Sequence, residues 1–218
     1  MKTVGVISGA AIFAAAVIAA MLELPPAAIH LPSIVHANLH ASGVAHPVTA
    51  VLLNFRAYDT LLEIGVLLLA LLVVLALGRR DDAHATLAAD PMLQNLARIA
   101  APLMVLVAVY LLWAGAHRPG GAFQAGAVLA AAAVLLHLAG LCPAWRSPGA
   151  LLRGGLAAGF IVFLAVAAAL LVQGELLQYP PAIAGALILL IESALTFSLG
   201  AILAGLFLFL SAHEASDS

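Results

Sequence analysis

The chain has 218 residues, of which 65% are hydrophobic and 8% are charged, with a mean hydropathy of +1.18 and a formal net charge of −2. Soluble domains carry about 25% charged residues, so this composition excludes an ordinary soluble domain and predicts a bundle of membrane helices. No basic patch suggests nucleic acid, and the single cysteine, Cys142, excludes an intrachain disulfide or a CxxC metal site.

Six apolar segments are long enough, at about 20 residues, to cross a bilayer. The first also resembles a secretory signal, but its apolar run exceeds the usual core of a signal, which favours a retained helix. The sequence therefore predicts an all-α, polytopic membrane protein with about six transmembrane helices, two followed by four. The six segments are Thr3–Leu22, Thr60–Leu77, Ile99–Ala116, Ala122–Leu141, Gly154–Val172 and Ala182–Leu210.

The basic residues determine the predicted orientation. With a cytoplasmic N-terminus, six of the eight lie on the inner side, and only Arg56 and Arg118 lie on the outer side. This asymmetry fits the positive-inside rule, and the opposite orientation reverses it. Both termini are therefore expected in the cytoplasm. The six inner residues are Lys2, Arg79, Arg80, Arg98, Arg146 and Arg153.

A long outer loop, Glu23–Tyr58, contains four prolines and four histidines. Its low polarity suggests that it lies against neighbouring helices or the membrane surface. His36 and His40 have the i, i+4 spacing of zinc ligands, but no cysteine or acidic residue follows Leu24 within the loop. A pH-sensitive polar cluster is therefore favoured, and no metal site is predicted.

Three charged residues surround the start of the second span. Arg56 is close enough to Asp59 to form an ion pair at the outer boundary, and Asp59 is also a candidate N-cap for a helix from Thr60. Asp59 and Glu63 are four residues apart and share a helix face. A helix start with a surface salt bridge explains the first two charges. Glu63 precedes fifteen apolar or glycine residues, so it is as much a functional as a structural candidate.

A polar stretch, Gly78–Asn95, separates the first two spans from the last four. Within it, Asp90 followed by Pro91 predicts a helix start, with Asp90 as the N-cap and Pro91 at the first helical position. The chain is therefore divided into residues 1–89, with two spans and the outer loop, and residues 90–218, with four spans.

The connection between the third and fourth spans reads HRPGGAFQ. Pro119, Gly120 and Gly121 predict a tight turn, and small residues there would allow close packing against another subunit. Phe123 is a candidate to anchor the turn. On the residues alone, a plain outer turn is the favoured interpretation.

The last span contains an acidic residue, Glu192, among apolar, small and hydroxyl side chains. A carboxylate at that depth costs about 2.5–3.5 kcal/mol on insertion scales. Thr196 lies four residues later on the same face, and a carboxylate with hydroxyls can hold a proton or Na⁺. The alternative is a protonated Glu192 hydrogen-bonded to a neighbouring helix. His137, in the fourth span, is more simply a contact between helices than a proton relay.

The sequence contains no nucleotide-binding loop, iron–sulfur cysteine cluster or haem-ligand pair, and no nucleophile with a matching base. It therefore predicts no cofactor and no enzymatic activity. Two intramembrane carboxylates in about six spans are few for a transporter that acts alone. A subunit of a larger ion-moving complex is the better interpretation, although a small self-contained transporter stays open.

The second part of the chain, roughly Asp90 to Ala212, resembles the MnhB/MrpB subunit of Mrp-type Na⁺/H⁺ antiporters. The resemblance lies in LARIAAPLMVLVAVYLLWAGAHRPGGAFQAG, residues 96–126, and in LLIESALTFSLGAILAGL, residues 189–206. The family turn resembles H-x-P-G-G-G-F-x-G-G. Here Ala122 and Ala125 replace two glycines, which implies a slightly stiffer turn.

The first part, roughly Val48 to Arg80, resembles the C-terminal segment of the large MrpA subunit, which is a separate subunit, MbhE, in membrane-bound hydrogenases. The family pattern resembles V-D-x-R-x-x-D-T-L-x-E, and the chain reads LLNFRAYDTLLE. Arg56, Asp59 and Glu63 match it, whereas Asn54 stands where aspartate is common. The chain thus resembles an MbhE-type segment fused to an MrpB-type subunit.

These resemblances imply an accessory subunit of an Mrp-like module in a bacterial or archaeal inner membrane, with MrpA-, MrpC-, MrpD-, MrpE-, MrpF- and MrpG-like partners. They imply coupled Na⁺ and H⁺ translocation, within an antiporter or a complex I-like redox or hydrogenase assembly. Glu63 and Glu192 are then the relay candidates. Arg56 and Asp59 would guard the outer mouth, and the turn from Pro119 to Phe123 would pack at a subunit boundary. The alternative is a structural adaptor that carries no ion.

Overall fold

The computed structural model describes residues 2–23, 29–77, 90–142, 150–174 and 176–214. All the regular elements in these ranges are helices, so the prediction of an all-α polytopic membrane protein is confirmed. Most of the polar linker, residues 78–89, lies outside the described residues, as do Arg146 and the last four residues of the C-terminal tail.

Each of the six predicted spans coincides with one long helix. Four of these, α4, α5, α7 and α8, are long and apolar enough to cross a membrane, whereas α1 and α6 contain shorter apolar helical segments. Two short helices, a 3-10 turn Leu39–Ala41 and a π-helix Val51–Phe55 occupy the outer loop. The helices are α1 Lys2–Leu22, α2 Leu31–Asn38, α3 Pro47–Ala50, α4 Ala57–Leu77, α5 Pro91–Ala114, α6 Ala122–Leu138, α7 Ala150–Gln173 and α8 Ala184–Glu214.

The chain forms two compact units, Met1–Ile34 and Val35–Ser218. In the first unit, the described side chains of α1 are exposed, including Phe13 and Leu22. An apolar helix with this exposure is typical of contact with lipid or with another protein in a membrane.

The second unit is organised around α8, which contacts α4, α5, α6 and α7. Its inward face is apolar, and Ile188, Ile191, Leu195 and Leu199 are almost completely buried. Phe163 of α7 joins the same hydrophobic cluster. The residues of α8 are therefore the ones most constrained by packing.

Small residues allow the helices to approach α8 closely. A methyl group added at Gly126 of α6 would lie 2.9 Å from Leu199 Cβ, and one at Gly200 of α8 would lie 3.0 Å from Leu129 Cβ. Ser198 Oγ of α8 donates a 2.5 Å hydrogen bond to the carbonyl of Leu156 in α7. Close approach through small residues and interhelical hydrogen bonds is how membrane helices associate without a hydrophobic driving force.

The start of α5 confirms the predicted cap, whereas the start of α4 corrects one. Asp90 accepts a 2.9 Å hydrogen bond from the amide of Met92, with proline at the first helical position. Asp59, predicted as an N-cap, instead lies in the first turn of α4, because that helix already begins at Ala57, separated from the π-helix Val51–Phe55 by Arg56. Asp59 makes the predicted ion pair with Arg56, in which Arg56 Nε donates a hydrogen bond of 2.6 Å to Asp59 Oδ2.

Residues 43–49 of the outer loop pack against helix ends, as expected for the low polarity of the loop. The amides of Ala45 and His46 donate to the carbonyl of Ala116 at 2.9 and 3.0 Å. A methyl group at Gly185, near the start of α8, would lie 2.8 Å from the carbonyl oxygen of Gly43. This part of the loop therefore touches both α8 and the residues that follow α5.

We expect Gly159→Ala in α7 to destabilise the fold by about 1–3 kcal/mol, the usual cost of overpacking. The added methyl group would lie 2.7 Å from Ser198 Cβ and 3.1 Å from Leu195 Cα. The control is Gly155→Ala in the same helix, where a methyl group meets nothing within 4 Å; it should be neutral or gain up to about 1 kcal/mol from helix propensity. Thermal unfolding of the purified chain in detergent measures both, and equal midpoints would contradict this packing.

Candidate functional site

The candidate site centres on Glu192, which α8 carries into the interior of the helix bundle. The residue is 3% exposed and lies eight residues after Ala184, the first residue of the helix. At 1.5 Å per residue, this is about 12 Å along the helix axis. The carboxylate therefore lies well within the apolar span Ala184–Leu208.

The α5–α6 turn packs directly on this carboxylate. Gly121 has a φ of 102°, and a methyl group there would lie 2.6 Å from Glu192 Oε1. A methyl group at Gly115 would lie 3.3 Å from the same oxygen and 2.6 Å from Gly121 Cα. Both positions thus require glycine because backbone and carboxylate occupy the space that a side chain would fill.

The carboxylate of Glu192 also caps the N-terminus of α6. The backbone N–H of Ala122, the first residue of α6, donates a hydrogen bond to it. The first N–H groups of a helix have no partner within the helix, and Gly121 offers no side chain that could serve as an N-cap. Glu192 therefore supplies from α8 the acceptor that the turn itself lacks.

The contacts show that α6 begins beside Glu192, part of the way along α8, rather than level with an end of α8. Ala122 lies at Glu192, and four residues further along α6, Gly126 lies at Leu199, so the two helices run in the same direction. α6 has only 17 residues, or about 25 Å. Residues 115–117 form a turn and Arg118 and Pro119 a bend, and this connection dips toward the middle of the bundle.

The hydroxyl groups near Glu192 are directed toward the backbone of α8. Thr196 Oγ1 donates to the carbonyl of Glu192 at 2.8 Å, and Ser193 Oγ donates to the carbonyl of Leu189 at 2.7 Å. Such bonds to the preceding turn are typical of hydroxyl side chains in membrane helices. Thr196 is buried near Glu192, but its hydroxyl proton is not directed at the carboxylate.

Glu63 lies in a different environment from Glu192. Its side chain is exposed on α4 beside Leu62 and Val66, which are also exposed, whereas the next residue, Ile64, is completely buried. The structure therefore places one predicted carboxylate inside the bundle and the other on its outer surface. Arg56 and Asp59, with side chains 71% and 53% exposed, also lie on the surface.

His137 lies far from this site. It is in the last turn of α6, fifteen residues after Ala122, which corresponds to about 22 Å along the helix. Its Nδ1 is buried and makes no hydrogen bond within the part of the chain that the structure describes. His137 and the Glu192 carboxylate therefore lie at opposite ends of α6.

The predicted turn residues divide between the interior and the surface. Pro119 is exposed, whereas Gly121 is buried and its amide donates to the carbonyl of Leu111 at 2.8 Å. Phe123 packs against the hydrophobic cluster around α8. Contacts within the chain thus explain why a glycine is needed at position 121.

Sequence reasoning missed two residues of the site, Gly115 and Thr49. Thr49 is 5% exposed, and its hydroxyl donates to the carbonyl of Gly115 at 2.5 Å. No sequence signal links positions 66 residues apart, and only the fold brings them together. No cluster of three potential metal ligands occurs in the ranges that the structure describes.

This fold and site define a polytopic helical membrane protein with a carboxylate buried against an intramembrane helix start. Residues 92–211, which are 120 of the 218, match the family described as "Domain related to MnhB subunit of Na+/H+ antiporter". The chain belongs to this MnhB family. A comparison with curated proteins gave no match.

Two solved structures are similar to the chain. A chain of "the membrane-bound sulfane sulfur reductase (MBS), an archaeal respiratory membrane complex" has a TM-score of 0.77 and 21% identity, with 96% of this chain and 97% of that one covered. At this identity the similarity shows the fold alone. A chain of the "Mrp complex from Dietzia sp. DQ12-45-1b" has a TM-score of 0.65 and 26% identity over 94% of this chain. Only 24% of that longer chain is covered.

We expect Gly121→Ala to displace the Glu192 carboxylate, because the new methyl group would meet Oε1 at 2.6 Å. The control is Gly174→Ala, which shares the positive φ but meets nothing within 4 Å. The two variants share a backbone strain of about 1–3 kcal/mol, so the extra loss of stability in Gly121→Ala isolates the contact with the carboxylate. Thermal unfolding in detergent measures the difference, and equal losses would contradict the contact.

Proposed function

We propose that the chain is an accessory membrane subunit of an Mrp-type cation/proton antiporter module and takes part in coupled Na⁺ and H⁺ translocation. The observation that carries this proposal is Glu192, a buried carboxylate in the MnhB-family part of the chain. Charged groups at such depth are costly and are characteristic of ion and proton pathways. Glu192 is proposed as a relay group, with Thr196 beside it and His137 as a further candidate near the far end of α6.

We propose that residues 1–89 are an MbhE-like segment, equivalent to the C-terminal part of MrpA, fused to the MnhB-like residues 90–218. The similarity to the Mrp-complex chain extends over 94% of this chain, beyond the 120 residues matched by the family, which supports a shared plan for both parts. Asn54, where the resemblance expects aspartate, donates from Nδ2 to the carbonyl of Ser42 at 3.0 Å. A carboxylate could not donate this bond.

The proposed setting is a complex I-like assembly in a bacterial or archaeal cytoplasmic membrane, with both termini in the cytoplasm. The partners are MrpA-, MrpC-, MrpD-, MrpE-, MrpF- and MrpG-like subunits. Glu63 supports the need for partners, because an exposed acid on an apolar helix face is costly against lipid. We propose that Glu63 relays ions near the outer boundary, where Arg56 and Asp59 guard the entrance, and that Pro119 and the turn around it face a neighbouring subunit.

A structural adaptor is the second candidate function, and the cap on α6 favours it. If Glu192 only accepts the N–H of Ala122, the chain braces neighbouring subunits without carrying an ion. The two functions differ in what they require of the side chain. An adaptor needs a hydrogen-bond acceptor at this position, whereas a relay needs a group that gains and loses charge.

We expect Glu192→Gln to abolish or strongly reduce Na⁺/H⁺ exchange while the complex still assembles. Glutamine keeps a carbonyl acceptor for the Ala122 N–H but cannot ionise. Exchange is measured in vesicles and normalised to assembled complex, with Asp90→Asn as the control, since asparagine caps a helix as well as aspartate does. Wild-type exchange by Glu192→Gln in the assembled complex would remove Glu192 from the pathway and leave the adaptor.

Glu63→Gln is also expected to reduce Na⁺/H⁺ exchange, because glutamine at this position cannot ionise and so cannot act in the relay. Because Glu63 is exposed on the isolated chain, its replacement should leave the thermal stability of the purified chain unchanged. Normal exchange per assembled complex would exclude Glu63 from the relay. Failure of assembly with unchanged chain stability would instead indicate that Glu63 binds a partner.

A further inference from the structure

We propose that Thr49 is a positioning residue for Glu192, and that loop residues 42–49 hold the α5–α6 turn against the carboxylate. This inference deepens the function proposed above and rests on it for its effect on transport. It concerns a part of the chain outside the MnhB-family match, which covers residues 92–211. The carboxylate site would then be built by both parts of the chain.

Hydrogen bonds from the loop satisfy the carbonyl groups at the end of α5. The last carbonyl groups of a helix have no partner within the helix, and inside a membrane they require one from the protein. Thr49 Oγ1 donates to the carbonyl of Gly115, and the amides of Ala45 and His46 donate to the carbonyl of Ala116. The loop thus supplies three donors to two successive carbonyls.

A short path of close contacts joins these carbonyls to the carboxylate of Glu192. Gly115 is so close to Gly121 that an added methyl group would lie 2.6 Å from Gly121 Cα and 3.3 Å from Glu192 Oε1. Gly121 precedes Ala122, whose N–H bonds to the carboxylate. A shift of Gly115 therefore reaches the Glu192 carboxylate through the backbone of Gly121 and Ala122.

The same loop also touches α8, the helix that carries Glu192. A methyl group at Gly185 would lie 2.8 Å from the carbonyl oxygen of Gly43. Thr49 itself is 5% exposed and Ser42 is completely buried. Residues 42–49 thus fix the turn on one side and the start of α8 on the other, which sets the distance between the carboxylate and the α6 N–H.

The test uses the assembled complex and a hydrophobic carbodiimide, which modifies carboxyl groups in membranes. Thr49→Val keeps the shape of the side chain and removes the donor. We expect Glu192 to be labelled faster, because the loosened turn covers the carboxylate less. We also expect the half-saturating Na⁺ concentration for exchange to change by about fivefold, the size of effect of one hydrogen bond. Mass spectrometry of the modified Glu192 peptide gives the labelling rate.

Two further variants separate positioning from general damage. Thr49→Ser keeps the donor and should restore the wild-type labelling rate. Ser198→Ala removes another buried hydroxyl with a 2.5 Å bond to a carbonyl, that of Leu156, and should leave the labelling of Glu192 unchanged. If Thr49→Val blocks assembly, Thr49→Cys, which has a weak thiol donor, must still label faster than the wild type.

Wild-type labelling in Thr49→Val, or in Thr49→Cys where valine blocks assembly, would overturn the proposal. Equal acceleration in Ser198→Ala would also overturn it, because the effect would then be loss of stability in general. The proposed transport function fails on a different measurement, namely wild-type exchange by Glu192→Gln. In that case faster labelling in Thr49→Val would still establish that Thr49 positions the carboxylate.

Discussion

The structure depends on the requirement that every backbone polar group inside a membrane has a partner within the protein. At most helix ends, water or a cap residue meets this requirement. At the start of α6, the helix begins beside Glu192 rather than at the end of α8, and the preceding residue is a glycine without a capping side chain. A side chain from another helix has to provide the acceptor, and Glu192 provides it.

This requirement explains several features that have no reason when each is taken alone. Glycine occupies positions 115 and 121 because the backbone of the turn and the Glu192 carboxylate fill the space that a side chain would need. α6 is short because it starts within the bundle. Residues 42–49 of the outer loop pack against the protein, and their amides and Thr49 bond the end of α5. Each feature follows because the α5–α6 turn lies inside the helix bundle rather than at its surface.

The sequence was informative about elements with strong local signals. Long apolar runs predicted all six long helices, since hydrocarbon thickness sets their length, and Asp90 with Pro91 predicted the start of α5. The Asp59 cap was wrong because α4 begins two residues earlier, at Ala57, just after a π-helix that ends at Phe55, and π-helices are rare. The turn and Glu192 were both recognised, but as separate features.

What the sequence could not show is how distant positions meet. Thr49 and Gly115 are 66 residues apart, and Glu192 is 70 residues from Ala122. Contacts of this kind depend on which helix packs beside which, and apolar helix faces of similar composition do not specify that order. His137 and Glu63 illustrate the converse, because both were grouped with Glu192 as candidates although His137 lies near the other end of α6 and Glu63 on an exposed face.

A structural cap alone does not require a group that can ionise at position 192. A helix start needs only an oxygen acceptor, and serine or asparagine serves about as well as aspartate. The attraction of a charge to a helix N-terminus contributes about 0.3–2 kcal/mol, less than or at most similar to the roughly 2.5–3.5 kcal/mol that a charge costs at this depth. A neutral acceptor would therefore cap α6 at a lower cost. The excess cost is explained if the group has to change its charge, which is the property that a proton or cation relay requires and a brace does not.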